Sequence, residues 1–251
     1  MNENNLVSII TPSYNSKKFI EETIDSVLAQ TYQNWEMIIV DDFSSDDSVD
    51  HITNKIKNIE KIKLISLNQN VGAAEARNRA LKVAQGKYIA FLDSDDLWYP
   101  EKLEKQIEFM SKYNYAFTFS SYTPFSEDGK IEYKKIIVPE KISYEGYCKN
   151  TIIGCLTVII DKEKTGEFYM PNIRSSHDMA LWLLIMKRGY DAYGLNENLA
   201  KYRLVSTSNT SKKNKAAKEV WDVYRKVEKL SLIKSSWYFA HYVVNALKKR
   251  M

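Results

Sequence analysis

Three carboxylates stand together in the run Asp93-Ser94-Asp95-Asp96, directly after the apolar segment 88–92. Carboxylates this close repel one another, so the run costs stability unless a cation lies beside it. Such oxygen ligands suit Mg²⁺ or Mn²⁺, and a metal here could bridge to a diphosphate and neutralise a leaving group. The alternative is a capping cluster for a helix that starts at Pro100. We interpret the run as a metal and diphosphate site.

A second acidic pair, Asp41-Asp42, follows the apolar segment 36–40. One of these carboxylates could accept a hydrogen bond from a uracil or from a ribose hydroxyl. The pair could instead cap the next predicted helix, a position that Ser44 or Ser45 could also fill. Both interpretations stay open at this stage.

The segment NVGAAEARNRA at 70–80 combines small residues with arginines. Gly72 and Ala73 let the backbone approach a ligand closely at a helix start, and the planar guanidinium of Arg77 suits phosphate. The segment is neither a Walker loop nor a GxGxxG motif, and a solvated helix face would also explain its arginines.

His177 and Asp178 stand at the start of a predicted helix that continues with Leu181 and Trp182. A carboxylate beside an apolar floor could act as general base for an acceptor hydroxyl. A capping aspartate would occupy the same position, so the residues alone support both roles.

The elements that must position these residues alternate between strand and helix over the first hundred residues. Apolar runs predict strands, and helical periodicity predicts helices. The predicted strands are 6–10 (ended by Thr11-Pro12), 36–40, 63–67 and 88–92; the predicted helices are 17–30, one capped by Ser44 or Ser45, 73–84 ended by Gly86, and one with Pro100 in its first turn. This alternation indicates a parallel α/β sheet covered on both faces.

Ligands of such sheets bind beyond the carboxyl ends of the strands. Four polar clusters follow the predicted strands at that edge: 11–14, 41–42, 68–70 and 93–96. We therefore expect them to form one site.

The second half of the chain is less regular. The predicted strands are 116–122, 135–138, 156–161, 190–195 and 199–204; the predicted helices are 176–188 (with Met179, Leu183 and Met186 inward), 214–229 and 231–249. We expect residues 1–211 to form one α/β domain and residues 212–251 to form a basic, amphipathic helical extension.

Composition indicates a folded intracellular protein. Of 251 residues, 44% are hydrophobic and 27% charged, which allows a sizeable core. Cys148 and Cys155 are too few for a disulfide framework and do not have zinc-knuckle spacing, so we expect buried thiols in a reducing compartment. We find neither a signal peptide nor an apolar run long enough to span a membrane, which predicts a cytoplasmic location.

The C-terminal segment carries the positive charge. Residues 212–251 hold eleven Lys or Arg and three Asp or Glu, whereas the rest of the chain is net negative. The last predicted helix has an apolar stripe of Leu230, Ile233, Trp237, Ala240, Val244 and Leu247, which Tyr238, Phe239 and Tyr242 are expected to thicken. This helix could pack on the domain or rest on an anionic membrane surface. Nucleic acid is not expected as a partner, because the predicted active edge is acidic.

Three stretches together resemble the family-2 glycosyltransferases of the GT-A fold. They are VSIITPSYNSKKFIEETIDSVLAQTYQNWEMIIVDDFSSDDS, NVGAAEARNRALKVAQGKYIAFLDSDDLW and HDMALWLLIMKRGYDAYGLNENLAKYR, in the family's order over most of residues 6–204. NTIIGCLTVIIDKEKTGEFYMP and LAKYRLVSTSNTS look similar to bacterial enzymes of teichuronic acid and capsular polysaccharide assembly. The resemblance implies a Rossmann-like GT-A fold, in which a mixed, mostly parallel sheet is flanked by helices and followed by C-terminal helices. It also implies a hexosyltransferase activity, a UDP-sugar donor, Mn²⁺ or Mg²⁺, and a saccharide or lipid-linked acceptor.

The resemblance also implies a role for individual residues. Asp178 would be the inverting base, and Asp95 would hold the metal on the diphosphate. The sequence departs from the family at His177, where Glu is usual, and at Ala180, where a second acidic residue is common. The residues implied in nucleotide-sugar binding are Thr11, Pro12 and Tyr14 around the nucleoside, Asp41 at the uracil edge, Asp93 at the ribose, and Asn70, Gly72, Arg77, Ser94 and Arg203 elsewhere on the donor.

The implied reaction is one in-line displacement in which Asp178 takes the proton of an acceptor hydroxyl. Two other functions fit parts of the sequence. Because Asp93-x-Asp95 follows a strand, Asp93 could be the nucleophile of an aspartyl phosphotransferase. The chain could also be a non-catalytic, nucleotide-sugar-binding subunit of a polysaccharide synthesis complex.

Overall fold

The computed structural model describes residues 5–173, 175–205 and 213–248. Within these residues the chain forms a nine-stranded sheet with helices on both faces. The strands are β1 Val7–Ser13, β2 Trp35–Asp41, β3 Ile62–Ser66, β4 Tyr88–Phe91, β5 Leu97–Trp98, β6 Phe117–Ser126, β7 Lys141–Ile142, β8 Ile159–Asp161 and β9 Ala192–Leu204. The helices are α1 Ile20–Leu28, α2 Ser48–Ile56, α3 Ala73–Val83, α4 Lys102–Tyr113, α5 Tyr144–Lys149, α6 Lys162–Thr165, α7 His177–Lys187, α8 Lys213–Asp222 and α9 Leu232–Lys248.

The sheet is mixed but mostly parallel, as predicted. Its order is β3-β2-β1-β4-β8-β6-β9-β5, and β7 also pairs with β9. β1 to β4 run parallel, β8 runs antiparallel between β4 and β6, and β6 and β9 run parallel to each other. Ser13 pairs with Asp41, and Asp41 pairs with Ser66. The register therefore brings the polar ends of the first strands to one edge.

The alternation of side chains along the strands builds one core on each face of the sheet. Ile10, Ile38 and Phe91 pack in the core that includes α3 and α7. Ile9 and Met37, next to them in sequence, pack on the opposite face with α1 and α4. Burial on both faces explains why these strands are continuously apolar.

Several predicted ends of elements differ from the structure. Thr11-Pro12 does not end β1, which continues to Ser13 along β2. Pro12 tolerates this position because β4 stops pairing at Ile10, so no neighbouring strand requires an N–H from Pro12.

The predicted ends of three helices also differ from the structure. Asp47, not Ser44 or Ser45, is the N-cap residue of α2, and Glu101 occupies that position in α4, so Pro100 lies before the helix. α3 ends at Val83, three residues before Gly86. Gly86 is required for a different reason, because a Cβ there would lie 2.6 Å from the backbone nitrogen of Ser8.

The second half of the chain contains the largest differences in topology. The predicted strands 190–195 and 199–204 are one strand, β9, which pairs with β6 along its length. The intervening polar residues stay in the strand because Asn196 and Asn198 accept hydrogen bonds from Ser121 and Thr123 of β6. The predicted strand 135–138 is only a bridge between Ile136 and Tyr122. By contrast, Met179, Leu183 and Met186 of α7 are buried as predicted.

The C-terminal helices pack on the domain and share its core. Val220, Val223, Tyr224 and Tyr238 belong to the core that contains α7. α9 contacts α5, which in turn contacts α7. The predicted boundary between residues 211 and 212 lies outside the described residues, as do Lys249 and Arg250 of the predicted basic extension.

Candidate donor and acceptor site

The end of β2 is tied to the end of β1 through Asp41. The Asp41 carboxylate is 1% exposed and accepts hydrogen bonds from Ser13 Oγ at 3.2 Å and Ser44 N at 2.9 Å. Ser44 Oγ also donates to Asp41 at 2.5 Å. Asp41 therefore fixes the loop after β2 against the edge of the sheet.

The neighbouring Asp42 holds the segment that precedes α3. Its two carboxylate oxygens accept hydrogen bonds from Val71 N at 2.7 Å and Gly72 N at 2.8 Å, and its carbonyl accepts one from Asn70 Nδ2 at 3.1 Å. Gly72 has φ +89°, which glycine adopts at little cost, and it leads directly into α3. The pair does not cap α2, so that alternative is wrong.

Two exposed aromatic rings flank this edge. Tyr14 is 53% exposed after β1, and Phe43 is 56% exposed after β2. Hydrogen bonds link their loops, from Asn15 N to Ser44 Oγ at 2.9 Å and from Ser45 N to Asn15 Oδ1 at 2.9 Å.

Next to these rings, Thr11 is fully buried, and its hydroxyl has no hydrogen-bond partner among the described residues. Pro12 is also buried. At the surface this part of the edge therefore offers the two aromatic rings, whereas the Thr11 hydroxyl lies buried beneath it.

Arg77 joins the loop after β4 to the start of α7. It is 5% exposed, forms an ion pair with Asp93, and its Nη1 lies 2.7 Å from His177 Nε2. Burial is the largest single influence and opposes the charge of Arg77, but the contributions of Asp93, Cys155 and Asp178 together outweigh it, so the pKa of Arg77 is raised. A solvated helix face is therefore wrong for Arg77, although Arg79 is exposed and pairs with Glu75.

The carboxylates of the 93–96 run have three different environments. Asp93 pairs with Arg77, whereas Asp96 is buried and accepts a hydrogen bond from Arg203 N at 2.8 Å. Burial and the charge of Asp93 raise the pKa of Asp95 to about 6. α4 begins beyond Glu101, so the run does not cap that helix. Ser94 is half-buried between these aspartates.

Arg203 of β9 contacts the 93–96 run through both its backbone and its side chain. Its guanidinium lies 4.5 Å from the rings of both Phe19 and Phe125. It donates to the carbonyl of Asp95 at 2.7 Å and pairs with Glu22 at 2.6 Å. Arg203 thus positions the backbone of the run and keeps a positive charge near the Asp95 carboxylate.

Asp178 lies in the first turn of α7, directly after His177, which contacts Arg77. Ser176 is the N-cap residue, so Asp178 is not the cap, although a carboxylate is favourable at this end of a helix. Burial, followed by the charge of Arg77, lowers the pKa of His177. A neutral His177 can accept a hydrogen bond from Arg77 through Nε2. Its Nδ1 has no partner among the described residues.

The set of ligand oxygens suits a divalent cation only with help from a substrate. Among the described residues, no group of three or more His, Cys, Asp or Glu side chains could hold a metal. The Asp95 carboxylate is a hard oxygen ligand that carries no ion pair in the described part of the chain, and it suits Mn²⁺ or Mg²⁺. The remaining ligands would come from a diphosphate and water.

Sequence reasoning missed three residues at this site. Asp42 was considered only as a member of a pair, although its clamp on the loop before α3 fixes Gly72. The only sequence feature that pointed to Phe43 was its position directly after the acidic pair Asp41-Asp42. Cys155, expected to be an inert buried thiol, is half-buried and free. Burial raises the pKa of the Cys155 thiol, and the nearby charge of Arg77 opposes this rise. The influence of Arg77 shows that Cys155 lies close to this cluster.

A mixed sheet of this topology, with an acidic run after β4 and a carboxylate in the first turn of α7, is the arrangement expected of a GT-A-like glycosyltransferase. The profile of the family described as Glycosyl transferase family 2 matches residues 8–166. The chain belongs to this family and is an enzyme of the hexosyltransferase type.

Known proteins agree with this assignment. The chain is 53% identical over 246 residues to TuaG of Bacillus subtilis, a protein named for teichuronic acid biosynthesis, and the match covers 98% of both chains. It is 41% identical to the Escherichia coli protein WfgD, over 97% of this chain and 94% of WfgD. WfgD is named as a UDP-Glc:α-D-GlcNAc-diphosphoundecaprenol β-1,3-glucosyltransferase.

A solved structure shares the fold. The structure of S. aureus TarS residues 1–349 with UDP-GlcNAc superposes with a TM-score of 0.72 at 21% identity. The match covers 95% of this chain and 71% of that one.

Proposed function

We propose that this enzyme transfers a sugar from a UDP-sugar to a saccharide or lipid-linked acceptor in the synthesis of a bacterial surface polysaccharide. The observation that carries the proposal is the position of Arg77, which contacts Asp93 on one side and His177, next to Asp178, on the other. One buried side chain thereby connects the expected donor residues to the expected base. The name of WfgD, with a UDP-Glc donor and a diphosphoundecaprenol-linked acceptor, supports these substrate classes, and the name of TuaG supports a role in polysaccharide synthesis.

In this proposal the donor nucleotide lies along the carboxyl ends of β1, β2 and β4. Thr11, Pro12 and Tyr14 frame the nucleoside, and Asp41 lies at the uracil edge. Asp93 and Ser94 face the ribose side. The exposed ring of Tyr14 supports this placement, because its surface is left to contact a ligand.

The diphosphate lies over the start of α3 and the 93–96 run. Asn70 and Gly72 place backbone close to it, and Arg77 adds positive charge. Arg203 acts here through the Asp95 carbonyl that it holds. Asp95 would hold Mn²⁺ or Mg²⁺, which when bound supplies positive charge to the leaving diphosphate.

Asp178 is proposed as the general base of an inverting displacement. Its carboxylate takes the proton of the acceptor hydroxyl, and the oxygen forms a bond to the anomeric carbon. The bond from that carbon to the diphosphate oxygen breaks, and its electron pair leaves with UDP. The name of WfgD gives a β-1,3 linkage for its product, and a single displacement on an α-linked sugar nucleotide yields a β-linkage, which supports inversion here.

The comparison with WfgD also supports a proposal about the acceptor and about where in the cell the enzyme works. A diphosphoundecaprenol acceptor, as in the name of WfgD, would require an enzyme that works at a membrane surface. In the described part of the chain, no helix is long and apolar enough to cross a bilayer. We therefore propose peripheral association on the cytoplasmic side through the C-terminal helix.

Thermal stabilisation by nucleotides tests the donor site. A ligand that binds only the folded protein raises its melting temperature. We expect UDP to stabilise the protein more than GDP, CMP or dTDP, and we expect this effect to need both Mn²⁺ and an intact Asp95. Asp95→Asn is the matched variant, because it keeps the size of the side chain.

Transfer from UDP-sugars tests the base. Asp178→Asn should retain UDP-dependent stabilisation and lose at least about a hundredfold in transfer rate. Full turnover by Asp178→Asn would remove Asp178 from the mechanism. Binding of UDP-sugars by the wild type with no transfer or hydrolysis would favour the non-catalytic subunit instead. The family assignment already excludes an aspartyl phosphotransferase.

A further inference from the structure

The outer side of α9 is an apolar surface that the described protein does not cover. Ile233 is 83% exposed, Trp237 is 59% exposed, and Val244 is 49% exposed. Together with the exposed Ala240 they follow one another at steps of four, three and four residues, so they share one side of the helix. We call Ile233, Trp237, Ala240 and Val244 the α9 outer face.

The opposite side of α9 is committed to the domain. Ser235 and Tyr238 are buried, and Asn245 Nδ2 donates to the carbonyl of Lys149 in α5 at 2.9 Å. Phe239 and Tyr242 also pack against the core, so they do not thicken the exposed stripe as predicted. The helix cannot rotate to bury its outer face without breaking these contacts.

The charges around the outer face select the kind of partner. The sequence from Lys229 to Met251 contains no Asp or Glu. Lys229 and Lys234 are exposed at the start of α9. An anionic lipid headgroup would pair with these lysines while the apolar face enters the headgroup boundary, and Trp237 is of a residue type that favours that boundary. A second copy of the chain would bring lysines against lysines.

We propose that the α9 outer face rests on an anionic lipid bilayer and anchors the enzyme at its surface. The inference deepens the proposed function, because it places the acceptor side of the enzyme near the membrane. α5 contacts both α9 and α7. Tyr147 of α5 is buried, and after burial itself the charge of Asp178 is the largest cause of its raised pKa. The proposed base and the proposed lipid-facing helix thus both lie close to the same short helix.

Vesicle flotation tests the anchor. The full chain would be mixed with vesicles of phosphatidylcholine alone, or of phosphatidylcholine with phosphatidylglycerol. We expect flotation with the anionic vesicles and much less with the neutral ones. Ile233→Ser combined with Trp237→Ser should weaken partitioning at least about tenfold, since two large apolar side chains no longer enter the lipid. Ile137→Ser is the control, because Ile137 is 61% exposed elsewhere on the molecule.

Two measurements on the same variants separate the outcomes. Equal flotation of the wild type and the double variant, or no flotation of the wild type, would overturn the proposal. So would light scattering that shows a wild-type dimer converted to a monomer by the double substitution. UDP-dependent stabilisation should be unchanged in all variants. Its absence in every protein, with flotation intact, would reject the donor-site proposal and leave the anchor standing.

Discussion

Replacing Arg77 with Met should remove the connection between the two halves of the site. Arg77 is 5% exposed, so the substitution leaves Asp93 without its ion-pair partner and His177 Nε2 without a donor. Removing one partner of a buried pair typically costs about 3–5 kcal/mol. The Asp93 side chain is 30% exposed, and solvent screens the charge left behind, so we expect the lower end of that range, about 3 kcal/mol. For a chain of this size, that loss lowers Tm by about 6–12 °C.

Urea unfolding and thermal melts, with and without UDP and Mn²⁺, would measure this effect. Arg77→Met should lose both stability and most of its UDP-dependent stabilisation. Arg77→Lys should recover part of the stability, since it keeps the charge, but a single ammonium cannot reproduce the two-sided contact of a guanidinium. Arg79→Met is the matched control on the same helix, where an exposed side chain should change stability by less than about 0.5 kcal/mol. If Arg77→Met melted within about 2 °C of the wild type and responded normally to UDP, the bridging role would be refuted.

Two further predictions concern a strained residue and a buried charge. Phe43 has φ +63° and is largely exposed, so its backbone is strained while its side chain buries little surface. Phe43→Gly should therefore raise the free energy of unfolding, measured in urea, by up to about 1 kcal/mol, whereas Phe43→Leu should not. A lower free energy of unfolding in Phe43→Gly would contradict the strain argument. Lys102 is fully buried, and burial lowers its pKa to about 7. Unfolded lysine stays protonated to about pH 10, so wild-type stability should rise between about pH 7 and 10, by at most about 1.4 kcal/mol per pH unit. Lys102→Met should lack this rise of stability with pH, whereas the control Lys105→Met, at an exposed lysine, should keep it. Parallel pH profiles of the wild type and Lys102→Met would show that Lys102 stays charged in the folded protein.

The first half of the fold was readable because its signals are local. Apolar runs with helices between them require a parallel sheet with two covered faces, and the polar residues after each run then fall on one edge. The second half was less readable because its strands depend on distant partners. β9 passes through Asn196 and Asn198 with an irregular register against β6, where Ser121 and Thr123 donate hydrogen bonds to the two asparagines.

The same division applies to the site. The sequence singled out Asp93, Asp95 and Asp178 as candidate chemical groups, because clustered carboxylates after a strand favour a cation and a carboxylate beside an apolar floor can act as a base. For Asp178 the residues alone also allowed a helix cap. It did not reveal that neighbouring aspartates have different environments. Asp41 holds the loop to β1, whereas Asp42 holds the backbone before α3.

By itself, then, the sequence determined the fold class, the family and the edge of the sheet where the polar clusters meet, because periodicity and motif order are properties of neighbouring residues. Only the tertiary structure decided which charges pair. Arg77 and His177 are separated by 100 positions and meet across a buried contact. Tertiary packing also decided which side of α9 is exposed, because α5 occupies one side of that helix and leaves the other uncovered. Pairing and exposure both depend on what lies across space from a residue, and no local pattern records that.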